Sequence, residues 1–186
     1  MAQSLHKVTF EEFQKLQQDQ EAIRYELDEG ELIEMTPASY EHNRIRGRIE
    51  QWLREYPEAQ NLGEVVAEMD FRLSSGVVRT PDVSFITAKH LQDIHPKDAL
   101  LQGAPALAVE IISPSNTASE IVRKRSQYLA AGCQAVWVIY PEQREIEIFR
   151  PDDRPLILGE QDSLTDERLF PGLSLPLTYI FAATKR

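Results

Sequence analysis

A single cysteine, Cys133, stands in the 186 residues. The chain therefore forms no internal disulfide and cannot build a thiolate zinc site alone; Cys133 reads as a small packing residue. No apolar run approaches the roughly 18–20 residues that a membrane-crossing helix needs. Met1-Ala2-Gln3-Ser4-Leu5-His6-Lys7 has no apolar stretch of the secretory kind. The expectation is a reducing cytoplasm and no membrane partner. Basic charge is scarce as well, with Lys+Arg 20 against Asp+Glu 30 and a net charge of −10. Tight nonspecific binding to nucleic acid through a broad basic face is disfavoured by that balance. There is no glycine-rich phosphate loop. Ser113-Pro114-Ser115 lacks the glycines of a nucleophile elbow, which argues against a serine hydrolase.

What is present is ordinary globular composition, 42% hydrophobic and 27% charged, with length for one domain over residues 1–186. Thr9-Phe10-Glu11-Glu12 is a capping box opening a helix to about Gln18. Tyr25-Glu26-Leu27-Asp28 and Glu31-Leu32-Ile33-Glu34-Met35 flank a Glu29-Gly30 turn and read as a hairpin. Ser39 caps a second helix whose core face is Ile45, Ile49, Trp52 and Tyr56, and Pro57 marks its expected end. Residues 65–73 read as one strand, followed by a Ser74-Ser75-Gly76 turn and Val77-Val78-Arg79. Residues 81–86 continue extended, with Pro81 suggesting a bulge or an edge. Residues 87–104 read as a loop with one helical turn.

Residues 107–112 are a nearly unbroken apolar run, suited to a strand covered on both faces. Thr117-Ala118-Ser119-Glu120 is another capping box, and its helix runs to Ala131 before Gly132. Residues 135–140 form a second buried strand, so the strand–helix–strand order implies a parallel crossover. Glu145-Ile146-Glu147-Ile148-Phe149 alternates and is expected as an antiparallel edge strand. Hairpins followed by a crossover make a mixed-sheet α/β domain.

Glu110 is the sharpest oddity. A carboxylate inside the 107–112 run must be paired, neutral or bound to a cation. The period of two puts it on the face of Ala108 and Ile112. Asp82 stands similarly before Val83-Ser84-Phe85-Ile86. Two such acids on neighbouring strands could hold one hard divalent ion such as magnesium, one of whose waters could attack a phosphodiester. A structural reading stands beside this one: each acid ends its strand or pairs with an arginine such as Arg79 or Arg123. Lys124 borders the buried face of its helix beside Ile121 and Tyr128, where its stem could carry the ammonium to the strand ends. On spacing alone, the reading favoured for Arg123-Lys124-Arg125 is a solvated stretch. His42 lies near the edge of the Ile45/Ile49 face, where a lone histidine is commonly structural. Glu31 reads as a polar strand start, and Arg44, Arg46 and Arg48 as a solvent-facing run.

Taken in order, Gly30-Glu31-Leu32, His42, Arg79-Thr80-Pro81-Asp82-Val83 and Val109-Glu110-Ile111-Ile112-Ser113-Pro114-Ser115 resemble the Uma2 family. So do Lys124 with Tyr128, Ala131-Gly132 before Val136-Trp137, and Phe170-Pro171-Gly172-Leu173. That family is similar to the PD-(D/E)XK nucleases. The resemblance implies a restriction-endonuclease-like α/β fold, a mixed β-sheet flanked by helices, with a site for Mg2+ or Mn2+ and DNA as substrate. Asp82 and Glu110 take the places of the metal-binding acids, and the Ile111 backbone carbonyl that of a further ligand. The superfamily's lysine belongs two residues after the second acid, where this chain has Ile112, so Lys124 is the implied substitute. His42 and Glu31 belong to the family pattern as candidate site residues. The alternative is a noncatalytic binding or assembly module that keeps the fold. A homodimer is expected in either case, with Trp137 and residues 145–149 as its expected exposed surface.

Overall fold

Two mixed sheets and a terminal hairpin share this chain. The computed structural model describes residues 7–19 and 23–183, so most of the N-terminal segment read above for a leader lies outside the described residues. The first half runs α1 (Phe10–Asp19), β1 (Tyr25–Asp28), β2 (Glu31–Glu34), α2 (Tyr40–Ala59), β3 (Gly63–Ala67), β4 (Asp70–Ser74), β5 (Val77–Arg79), β6 (Val83–Thr87) and α3 (Ala88–Leu91). The second half runs β7 (Leu100–Gln102), β8 (Leu107–Ile111), α4 (Ala118–Ala130), β9 (Ala135–Tyr140), β10 (Glu145–Phe149), β11 (Leu156–Gly159), β12 (Ser163–Asp166), β13 (Phe170–Pro176) and α5 (Leu177–Phe181). Among the described residues no helix is long and apolar enough to cross a membrane.

Local chemistry sets the helix starts. Thr9 Oγ1 accepts from the Glu12 amide at 3.2 Å while Glu12 Oε2 accepts from the Thr9 amide at 2.8 Å. Thr117 and Glu120 repeat the exchange at 3.3 and 2.7 Å, and Ser39 Oγ accepts from the His42 amide at 3.2 Å. Each cap satisfies amides that the first helical turn leaves unpaired. Helix α2 passes Pro57 and ends at Ala59. Proline's fixed φ is helical, and the missing N–H costs a single bond so close to the end. Glu29 and Gly30 both take positive φ, 53° and 90°, the geometry of a tight hairpin turn between β1 and β2.

The first sheet has the order β2-β1-β5-β4-β7, with only β4 and β7 parallel. The second has the order β11-β10-β9-β8-β6-β3, with β8 and β9 parallel as the crossover requires. The stretch 65–73, expected as one strand, is divided between the two sheets. Its break falls at Glu68, which holds φ 52°, so the alternation on either side belongs to different surfaces. The chain passes between the sheets again at residues 80–82, and the Glu68 amide donates to the Asp82 carbonyl at 3.3 Å across that seam. Strand β7, expected as loop, pairs with β4.

The second sheet is covered on both faces. Ile45, Ile49 and Leu53 of α2 share one core with Val109, Ile111, Trp137, Phe170 and Ile180. Across the sheet, Ala108, Val136 and Val138 pack with Tyr128 of α4. Strand β8 therefore points alternate side chains into two cores, and Glu110 goes to the α4 side with Ala108, as its period demands.

The expected association surface is overturned here. Trp137 is 1% exposed and meets Phe170 edge to face at 6.3 Å, because β13 and α5 close over that face. Strand β10 is not an edge, since β11 pairs along it from Glu145 to Ile148. On β11 itself, Leu156 and Ile157 are left exposed.

A candidate active site at the seam between the sheets

Strand β1 builds the floor. Leu27 goes to a core with Phe13 and Val78, so Glu26 and Asp28 share the opposite face, and both are buried. Arg79, at the end of the neighbouring β5, is 2% exposed. Its Nη1 donates to Glu26 Oε2 and its Nη2 to Asp28 Oδ2, each at 2.8 Å, while Nε donates to Gln127 Oε1 at 2.8 Å. A buried guanidinium is tolerable only with its fork filled in this way.

Helix α4 supplies the wall. Lys124 and Tyr128 lie one turn apart on the same face and meet the Glu110 carboxylate together. Tyr128 donates its hydroxyl proton to Glu110 Oε1 at 2.7 Å, and Lys124 Nζ stands 3.3 Å from Glu110 Oε2. The same ammonium is 3.0 Å from Glu26 Oε1. Neither neighbouring arginine is merely solvated. Arg123 reaches Asp28 Oδ2 at 2.9 Å, and Arg125 lies over the Phe149 ring at 4.0 Å.

Asp82 stands at the seam itself. Its Oδ2 accepts from the Ile111 amide at 2.7 Å, which ties the start of β6 to the end of β8. Its Oδ1 is 3.3 Å from His42 Nε2. His42 Nδ1 is buried. The arginine pairings considered for Asp82 and Glu110 do not form, because Arg79 and Arg123 serve the acids of β1 instead.

Two carboxylates share one ammonium and respond in opposite directions. Burial pushes Glu110 up to about 7, and the charges of Glu26 and Asp82 add to the push against Lys124 and Tyr128. Burial works the same way on Glu26, yet Lys124, Arg79 and the Thr80 amide overcome it and hold this acid below its ordinary value. Glu26 has a second cation and Glu110 does not. Burial alone would lower Lys124, but Glu110 and Glu26 reverse that and keep it charged. His42 is likewise lowered by burial and raised further by Asp82, so its net shift is upward. Carboxyls pushed apart in this way are a frequent mark of functional sites.

Asp82, Glu110, Lys124 and His42 all line one open cleft of about 810 Å³. Glu31 joins them from the start of β2 as an exposed rim residue. Glu26, Asp28 and Tyr128 complete the network, and the reading of β1 as a plain hairpin arm missed the first two. Their signal was the strict acid–Leu27–acid alternation. Eight acidic side chains and four from Lys or Arg line the cleft, an excess that attracts cations and repels bare phosphate. Among the described residues no three His, Cys, Asp or Glu side chains converge as a ready metal cage. Asp82 and Glu110 are two carboxylates of this cleft that could hold an ion. Magnesium commonly takes one or two from protein and keeps water on its other positions, so this hard-oxygen donor set suits it.

Comparison with known proteins agrees with this architecture. A crystal structure of "a putative nuclease belonging to DUF820" from Anabaena variabilis ATCC 29413 superimposes with a TM-score of 0.83 at 19% identity. The match covers 94% of this chain and 98% of that one, and it shows a shared fold. No curated protein matches the chain. The model of the Uma2 family, described as "Putative restriction endonuclease", matches residues 10–178. With that match running from α1 to α5, the chain belongs to the Uma2 family.

Proposed function

We propose that this protein is a magnesium- or manganese-dependent endonuclease that hydrolyses DNA phosphodiester bonds in the cleft between its sheets. The observation that carries the reading is the convergence of Asp82, Glu110 and Lys124 on one cleft from β8, α4 and the seam before β6. Asp82 and Glu110 would hold the ion, with the Ile111 carbonyl as a further backbone ligand. Bound there, such an ion would lower the pKa of water and polarise a phosphoryl oxygen. Lys124 keeps a fixed positive charge at the cleft, its side chain 24% exposed, where negative charge builds on the phosphate oxygens. Water would attack phosphorus in line, giving up a proton to solvent, as the bond to the opposite oxygen breaks and that oxygen takes a proton from solvent. His42 holds Asp82 through Oδ1, the oxygen that the Ile111 amide does not take. The acid excess makes cation binding a precondition for bringing phosphate in.

A second reading, a noncatalytic binding or assembly module, is favoured by one specific feature. All four carboxylate oxygens of Asp82 and Glu110 already have protein partners, in His42, the Ile111 amide, Tyr128 and Lys124. Supercoiled plasmid with magnesium or manganese separates the two. Wild type nicks it, and Asp82→Ala and Glu110→Gln each lose about a hundredfold or more of the rate. Equal behaviour of all three proteins removes the hydrolase. Absence of magnesium or manganese binding at millimolar concentration, read by calorimetry, supports the assembly module. In either case we place the protein in the cytoplasm as a homodimer, with Leu156 and Ile157 on edge strand β11 as the surface that supports pairing.

A further inference from the structure

Lys124 comes from a helix rather than from the strand that carries Glu110, so something must hold its ammonium in place once Glu110 turns to a cation. We infer that Glu26 is a positioning residue of the site: it retains Lys124 in the cleft when Glu110 gives up its share of that ammonium to a divalent ion. This inference rests on the metal-binding reading of Asp82 and Glu110.

The geometry distinguishes a permanent holder from an exchangeable one. Glu26 is anchored on every side. Its Oε2 takes Arg79 Nη1 at 2.8 Å, and its Oε1 takes the Thr80 amide at 3.0 Å beside Lys124 at 3.0 Å. It is 2% exposed and projects from a paired strand. A carboxylate fixed by a guanidinium and a backbone amide has no freedom to follow an incoming ion. Glu110 has looser ties: the Tyr128 hydroxyl on one oxygen and Lys124 at the longer distance of 3.3 Å on the other. Breaking the Glu110–Lys124 contact leaves each group with a partner, Glu110 with Tyr128 and Lys124 with Glu26. Breaking the Glu26–Lys124 contact would leave an ammonium facing only a carboxylate committed elsewhere, an expensive arrangement in a partly buried place. The ammonium thus stands in for the ion at Glu110, and Glu26 is where it stays when the ion arrives. Asp28 cannot take over, since Arg79, Arg123 and Gln127 occupy its oxygens.

The side-chain ammonium resonance of Lys124, observed in protein labelled at lysine Nζ, tests this without any turnover. A hydrogen-bonded ammonium exchanges its protons slowly enough to be seen. In wild type, magnesium alone is expected to shift the Lys124 signal while leaving it protected. In Glu26→Gln the signal is expected without magnesium, held by Glu110, and on adding magnesium its proton exchange speeds up by about tenfold or more, as loss of a charge-assisted hydrogen bond predicts. In Glu110→Gln the signal is expected to be protected with and without magnesium, which keeps the test alive if Glu26→Gln folds poorly. Retained protection in magnesium-loaded Glu26→Gln overturns the role given to Glu26, and so does lost protection in Glu110→Gln. If magnesium moves no resonance near the cleft in wild type, the metal reading itself fails and takes this inference with it.

Discussion

The Tyr128 hydroxyl meets the Glu110 carboxylate at 2.7 Å, one helical turn beyond the lysine that meets the same carboxylate. Both groups are buried, and the Tyr128 hydrogen bond stabilises the charged form of Glu110 against the push of burial. The tyrosine therefore prepares an acid in an apolar wall to be an anion.

Replacing Tyr128 by phenylalanine keeps the ring in its core and strips the donor. Glu110 Oε1 is then left without its partner, and stability is expected to fall by about 1–3 kcal/mol, read from the midpoint of urea unfolding. The acid should also become harder to ionise, so magnesium binding at neutral pH weakens. An unchanged midpoint and unchanged calorimetric affinity would show that the hydroxyl contributes nothing to Glu110.

Glu110 also sets a pH dependence whose sign is unusual for a carboxyl. Its pKa of about 7 lies above the ordinary 4.5, so the native state binds this proton more tightly than the unfolded chain does. Between those two values the folded protein holds the extra proton, and the contribution of Glu110 to stability falls as pH rises. In Glu110→Gln that slope disappears, so the difference in unfolding midpoint between the two proteins is expected to change across the window, wild type losing relative stability as pH rises. Magnesium acts in the opposite sense. It needs the carboxylate, so the rise in Tm on adding magnesium is expected to grow as pH climbs through about 7. A magnesium effect constant across that range contradicts the assignment of Glu110 as a ligand.

Features encoded by neighbours in the chain were legible. Thr117 and Glu120 declare a helix start within four residues, and an acid inside an apolar run announces Glu110. Features made by distant partners were not. Glu26 and Asp28 alternate with Leu27 as the outer face of any half-buried hairpin does, and only Arg79, some fifty residues on, turns that face inward. The break at Glu68 was hidden because alternation continues through it and no glycine marks the positive φ. By spacing alone Lys124 reads as one of three solvated cations, and only the family resemblance singles it out. Its true neighbours, Glu26 and Glu110, lie on strands of different sheets. Trp137 was misplaced because β13 and α5, which bury it, come from residues more than thirty positions further along the chain.

Arg79 is the one cation that both acids of β1 share, and lysine cannot replace it. A single ammonium cannot fill two carboxylates and Gln127 from one position. Arg79→Lys is expected to cost about 3–5 kcal/mol, the range for breaking a buried ion pair, and to shift Lys124 as Glu26 loses its second cation. Urea unfolding measures the first effect. A loss smaller than about 1 kcal/mol would mean that solvent screens the network far more than its burial indicates.

His42 offers the clearest test of the seam, because two opposing effects act on one ring. Burial lowers its pKa, while the hydrogen bond and charge of Asp82 raise it further, with the Ile111 backbone adding to the rise. A histidine raised in the folded state contributes its full stability below the unfolded value of 6.5 and loses it as pH climbs through the higher folded value. An NMR titration of the His42 ring is expected to show a midpoint above 6.5 in wild type. In Asp82→Asn the charge is gone and burial is left to act, so the midpoint should fall below 6.5, a reversal of sign rather than a small drift. The stability difference between the two proteins should accordingly be larger below that window than above it. If the midpoint stays high without the Asp82 charge, some other anion holds the imidazolium, and Asp82 is not the group His42 orients.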